Sequence, residues 1–151
     1  MNTVRMALLT GMASTAMVLA GCATVEEAVV EKTAHTFKAD LTGAQEPGGG
    51  DPDGSGTAEI TVSDNLDQIC YDINNVRNLD AVTMAHIHQG AMGVNGPPVL
   101  TLKPANEGGF KGCESAPEWL QNAIKDNMRG YYVNVHTTAY PNGAIRGQLH
   151  E

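Results

Sequence analysis

Apolar and polar residues alternate in short runs along most of this chain, and Gly, Pro, Asn and Asp break the runs apart. A period of two puts successive side chains on opposite faces of an extended strand, one face for a core and one for solvent. On that basis strands are expected over residues 35–41, 57–62, 69–74, 82–88, 99–102, 131–137 and 144–149. Asp64-Asn65-Leu66-Asp67 reads as the hairpin turn between the second and third strands, and Pro141-Asn142-Gly143 as the turn between the last two. Short strands with regular turn punctuation predict an all-β chain, an antiparallel sandwich or barrel.

One stretch changes period. Trp119, Leu120, Ala123, Ile124 and Met128 recur at helical spacing, Ser115-Ala116-Pro117-Glu118 has the form of a capping box, and Gly130 ends the run. The expectation is one short helix plugging an end of the β-fold, with Trp119 in the core. Residues 43–56 are too rich in Gly, Pro and Asp for strand or helix. Asp51-Pro52-Asp53-Gly54-Ser55 lacks the third acidic ligand and distal Glu of a calcium loop, so a flexible acidic loop is expected.

The N-terminus follows a different logic. Arg5 precedes an apolar stretch, residues 6–19, that is shorter than a membrane span and interrupted by Thr, Ser and Gly. Leu19-Ala20-Gly21-Cys22 follows, and it resembles the lipobox at which lipoprotein leaders are cut. The resulting division is a signal peptide over 1–21, a lipidated tether over 22–34 starting at Cys22, and one β-domain over 35–151. Ala23 after Cys22, in place of Asp, points to the outer membrane of a bacterial envelope. More than one acyl chain suffices for stable anchoring.

The formal net charge of −8 becomes one unit more acidic once the leader removes Arg5. An acidic domain excludes nucleic acid as a partner, because phosphate binding needs Lys and Arg. It also disfavours adsorption to anionic lipid, leaving the acyl anchor as the membrane link. With Cys22 assigned to lipid, Cys70 and Cys113 remain, and an exported chain is expected to join them in one disulfide. Shared thiolate ligation of a metal is the alternative.

The chemistry concentrates in Met84-Ala85-His86-Ile87-His88. On a strand, His86 and His88 share a face at i and i+2, with Met84 one step earlier on that face. In residues 131–137, Val133 and Val135 take one face while Asn134 and His136 take the other. If the two strands meet, three imidazoles converge, a donor set suited to copper or zinc. Met84 or Met92 would add a soft ligand favouring Cu(I), and Glu46 a further ligand or a partner to one. The competing reading is a buried histidine network that bonds to backbone and to Arg146, fixing the Gly-rich loop after His88. No G-x-S-x-G elbow or phosphate-cradling loop is present, and no catalytic residue is assigned.

Five ordered blocks resemble one family. They are Phe37, Ala39, Leu41, Gly43 and Glu46-Pro47; Ala85-His86-Ile87-His88 with Gly90; Asn95-Gly96-Pro97; residues 132–137, Tyr-Val-Asn-Val-His-Thr; and Pro141, Gly143 and Ile145-Arg146-Gly147-Gln148-Leu149. Together they resemble the CHRD domain, first named from chordin, over about residues 36–149. The family's usual Glu-Val-Pro-Pro element is here Glu46-Pro47 followed by a glycine run. The resemblance implies a Greek-key β-sandwich of immunoglobulin-like or superoxide-dismutase-like form. His86-Ile87-His88 is also similar to the copper-binding H-x-H strand of copper/zinc superoxide dismutases, but the further histidines of those enzymes, the bridging one included, and their zinc-binding Asp are not assigned to residues of this sequence. The resulting expectation is an envelope-anchored domain that binds copper or zinc through His86, His88 and His136 without catalysis. The alternatives are a metal-free module binding another envelope protein and, behind it, a metal-dependent oxidoreductase.

Overall fold

The alternation is realised as eight strands and one helix in a computed structural model that describes residues 34–63, 65–105 and 109–151. The leader, Cys22 and all of the tether except Ala34 lie outside the described residues. The strands are β1 (Ala34–Thr42), β2 (Ser55–Ser63), β3 (Gln68–Arg77), β4 (Val82–Gln89), β5 (Pro98–Leu102), β6 (Phe110–Ser115), β7 (Tyr131–Thr137) and β8 (Ile145–Gln148). The helix α1 spans Glu118–Asp126. Among the described residues no helix is long and apolar enough to cross a membrane.

All ladders are antiparallel, in one continuous sheet of order β5-β4-β7-β8-β1-β2-β3-β6. The two edge strands, β5 and β6, come into contact, so the sheet is nearly closed. Across that contact β4, β5 and β6 lie side by side and β3 lies beside β6, the arrangement of a Greek key. The fold is therefore all-β, and the predicted sandwich is one rolled sheet. Alternate residues fill its interior: Phe37, Ala39 and Leu41 from β1, Ala58, Ile60 and Val62 from β2, Ile69 and Ile73 from β3, Ala85 and Ile87 from β4, and Val133 and Val135 from β7.

Four expectations are corrected. The strand β6 is not among those expected, because its inward positions include Gly112, where a Cβ would lie 3.2 Å from the Tyr71 hydroxyl. Trp119 is not core: it is 61% exposed, because α1 docks through Leu120, Gln121 and Ile124. The capping box does not form, since Ser115 still belongs to β6 and the helix begins after Pro117 without a side-chain cap. The loop before β2 is also ordered by contacts: Gly50 and Asp51 donate backbone N–H groups to Gly43 and Ala144, which fold it back against the start of β8.

Cys70 and Cys113 face each other across β3 and β6 and are joined by a disulfide. A bridge enclosing 43 residues stabilises a fold by about 3–4 kcal/mol on the chain-entropy account. It ties β6, a strand with few apolar residues, to the rest of the sheet.

Candidate metal centre

The outer face of β4, β7 and β8 is not solvent-facing surface but a layer of polar and aromatic side chains under two loops. Register sets its order. Met84 lies opposite His136, His86 opposite Asn134 and His88 opposite Tyr132, while Asn134 and Tyr132 lie opposite Arg146 and Gln148 of β8. All seven residues of β7 are buried, Val133 and Val135 by the core and Asn134 and His136 by this outer layer.

The three histidines of the sequence reading do come together. Each offers one ring nitrogen, and these atoms lie within 4.8 Å of one another. Among the described residues no other such group of His, Cys, Asp and Glu is found. His136 Nδ1 lies 3.0 Å from the Pro141 carbonyl, and His88 Nδ1 lies 2.9 Å from the Gly96 carbonyl. A carbonyl only accepts, so both Nδ1 atoms carry a proton, and in a neutral ring Nε2 then presents the lone pair. With neutral rings His86 Nδ1 donates to His136 Nε2 at 3.1 Å, a bond that an ion held by these nitrogens would replace. His88 Nε2 is buried without a hydrogen-bond partner. Leaving such an acceptor unsatisfied costs about 1–3 kcal/mol, a cost that a cation at that atom removes.

Rings held by backbone carbonyls through their far nitrogen match the support that metal-ligating histidines normally receive. Burial holds the His86 and His88 rings below the usual imidazole range, reinforced at His86 by His136 and His88 and at His88 by His136 and Arg146. Gly96 opposes the shift at His88 through its hydrogen bond. The two rings are thus neutral, the form that ligates.

Arg146 anchors the layer. It is 1% exposed, its guanidinium sits 3.3 Å from the Tyr132 ring centroid, and it donates to the Ala91 and Val94 carbonyls and to Asn95 Oδ1. The same Tyr132 ring stacks on His88 at 4.8 Å, and its hydroxyl accepts from the Gly96 N–H. The loop after His88 is therefore fixed by Arg146 directly, through the loop's own carbonyls and Asn95 rather than through bonds from the imidazoles to Arg146, and it positions the Gly96 carbonyl that orients His88.

Glu46 arrives from the loop after β1 and accepts a hydrogen bond from Asn134 Nδ2. It closes over Gly143, whose φ of 136° and lack of a side chain make room for the carboxylate. Burial raises the Glu46 pKa above the ordinary carboxylate value, with the Arg146 charge and the Asn134 bond opposing. Such a group favours folding below its unfolded pKa, and that contribution is lost as pH rises through the folded pKa. Glu46→Gln keeps an acceptor for Asn134 and removes the buried charge. Its stability relative to the parent should therefore grow as pH climbs from about 4.5 toward neutrality, read from urea unfolding at fixed pH steps. A constant difference would mean that folding leaves the Glu46 pKa unshifted.

The two methionines are placed differently. Met84 sits on the histidine face, 46% exposed, beside His136 in register. Met92 is 73% exposed and lines a separate cavity of about 290 Å³ with Asp40, Gln45, Arg129 and His150. Asn134 and Arg146 act on the cluster's surroundings, through Glu46 and the Gly96 loop respectively.

No curated protein and no solved structure matches this chain. The CHRD domain model matches residues 37–149, and it takes in every strand described above except the first three residues of β1, together with all three histidines. The chain belongs to the CHRD domain family.

Proposed function

We propose that this CHRD domain binds one transition-metal ion, copper or zinc, on an exported bacterial lipoprotein anchored through Cys22 in the cell envelope. The observation that carries the metal reading is the approach of three imidazole nitrogens within 4.8 Å. Two of the rings are oriented by backbone carbonyls, and one nitrogen, His88 Nε2, is buried and unpartnered. Three imidazoles suit copper and zinc, and Met84 beside His136 would favour Cu(I). Anchoring rests on the short leader and Leu19-Ala20-Gly21-Cys22.

A second reading has its own support. The His88–Gly96 bond and the stack on Tyr132 are what a purely structural histidine would make, in a metal-free module that binds an envelope protein. Metal content of the full chain after exposure to copper or zinc separates the two. One equivalent retained through desalting, lost in His86→Ala with the circular dichroism unchanged, supports the metal centre. A parent chain that retains no metal, or a His86→Ala variant that loses its fold and not its metal, sinks it.

A further inference from the structure

The end of the domain from which the chain runs back toward Cys22 carries the largest exposed aromatic side chain. Register defines that end: Ala34 pairs with Ser63, Ser63 with Gln68, and Gln68 with Ser115, across β1, β2, β3 and β6. The turn between β2 and β3 holds Leu66, 53% exposed, and α1 follows β6 with Trp119, 61% exposed. The two segments are bonded together, the Ala116 N–H donating to the Asp67 carbonyl. Helix α1 is seated through Leu120 and Ile124, so Trp119 contributes little to the core and stands on a rigid support.

From the joining of these features to the tether, we infer that the α1 end of the domain docks on a lipid surface, with Trp119 and Leu66 entering the headgroup region. The inference rests on the lipid anchor at Cys22 proposed above. The chain from Ala23 to residue 33 is eleven residues, a reach of at most roughly 40 Å when extended. An acyl-anchored Cys22 therefore holds the Ala34 end within that distance of the membrane, at high effective concentration. Trp is suited to the bilayer interface, where its ring body meets apolar chains and its N–H meets water and headgroups. Asp67 and Glu118 flank the patch, and the chain carries a net charge of −8, so the matching surface is zwitterionic rather than anionic lipid. The histidines stay clear of it. His86 connects through Asn134 and Arg146 to Thr42, the opposite end of β1 from Ala34.

Trp119 is the only tryptophan in the sequence, so its fluorescence reports this site alone. The full chain is reconstituted in phosphatidylcholine vesicles with bromine on the acyl chains, and acylation of Cys22 is read separately by mass. Docking predicts loss of Trp119 emission against the unbrominated control, with emission recovered in Leu66→Asp, which changes only an exposed position. Undiminished emission in an acylated chain overturns the docking and leaves the anchor standing. Quenching unchanged by Leu66→Asp overturns the two-residue contact, since proximity through the tether alone then accounts for it. A Cys22 without lipid overturns the anchor, and the docking with it.

Discussion

Arg146→Ala should cost this fold about 3–5 kcal/mol, the range found when one member of a buried charged network is removed. The guanidinium is almost fully enclosed and engages two backbone carbonyls, Asn95 Oδ1 and the Tyr132 ring. Alanine leaves the Val94 carbonyl without its donor and the Ala91 carbonyl with the Val94 N–H alone, opens space beside Tyr132, and strands the half-buried Glu46 carboxylate that Arg146 holds down. Domains of this size have about 5–15 kcal/mol in total, so the loss takes a large share. Arg146→Lys keeps the charge and forfeits the planar fork that meets several acceptors while lying on a ring, and should recover less than half of the loss. Urea unfolding of the three proteins reads both effects. A cost below about 1 kcal/mol for alanine would mean the loop after His88 holds itself, against the contacts described.

The same contacts link stability to the cluster. Arg146 fixes the loop, the loop fixes Gly96, and the Gly96 carbonyl selects the His88 tautomer. A chain lacking Arg146 should therefore hold metal less tightly even where it remains folded.

How much of this was legible beforehand differs element by element. Strands with two or three apolar residues at period two, such as β1, β2 and β7, stand out because burial of one face imposes that spacing. The shared face of His86 and His88 follows from the same geometry, and the side taken by His136 from Val133 and Val135 pointing inward. Convergence of the three was not legible, since β4 and β7 are separated by β5, β6 and α1 and become neighbours only through the Greek-key path. The strand β6 hid because Gly112, packed close to Tyr71 of β3, breaks the apolar alternation of its inward face. Trp119 misled for a related reason. A helix of nine residues needs only Leu120 and Ile124 to dock, so the residue beside them is free to face outward. Arg146 was singled out as a partner to the histidines, yet its near-complete burial depends on two loops closing over β8. Nothing in local pattern announces that.

The largest functional effect should come from the histidines themselves. Loss of a supporting partner around a metal costs 10–100-fold in affinity, so removing a ligand from a three-imidazole site should cost more than about a hundredfold. His88→Ala should show this most cleanly. It deletes the cluster's buried ring nitrogen that has no hydrogen-bond partner, and the backbone it releases, Gly96, is still held by Tyr132. His136→Ala should lose metal and some stability together, because His136 is 8% exposed and its ring holds the Pro141 carbonyl of the turn before β8. Protons should compete with the metal in a defined direction. Burial, with the neighbouring charges, lowers the His86 and His88 pKa values, so these rings remain neutral somewhat below the usual imidazole range. Affinity should accordingly hold steady from alkaline pH through about 6.5, then fall as the pH drops further and the rings take up protons. Competition titration against a chelator of known affinity at each pH reads this. Affinity that stays flat down to pH about 4.5, or that survives His88→Ala, would show that imidazoles are not the ligands.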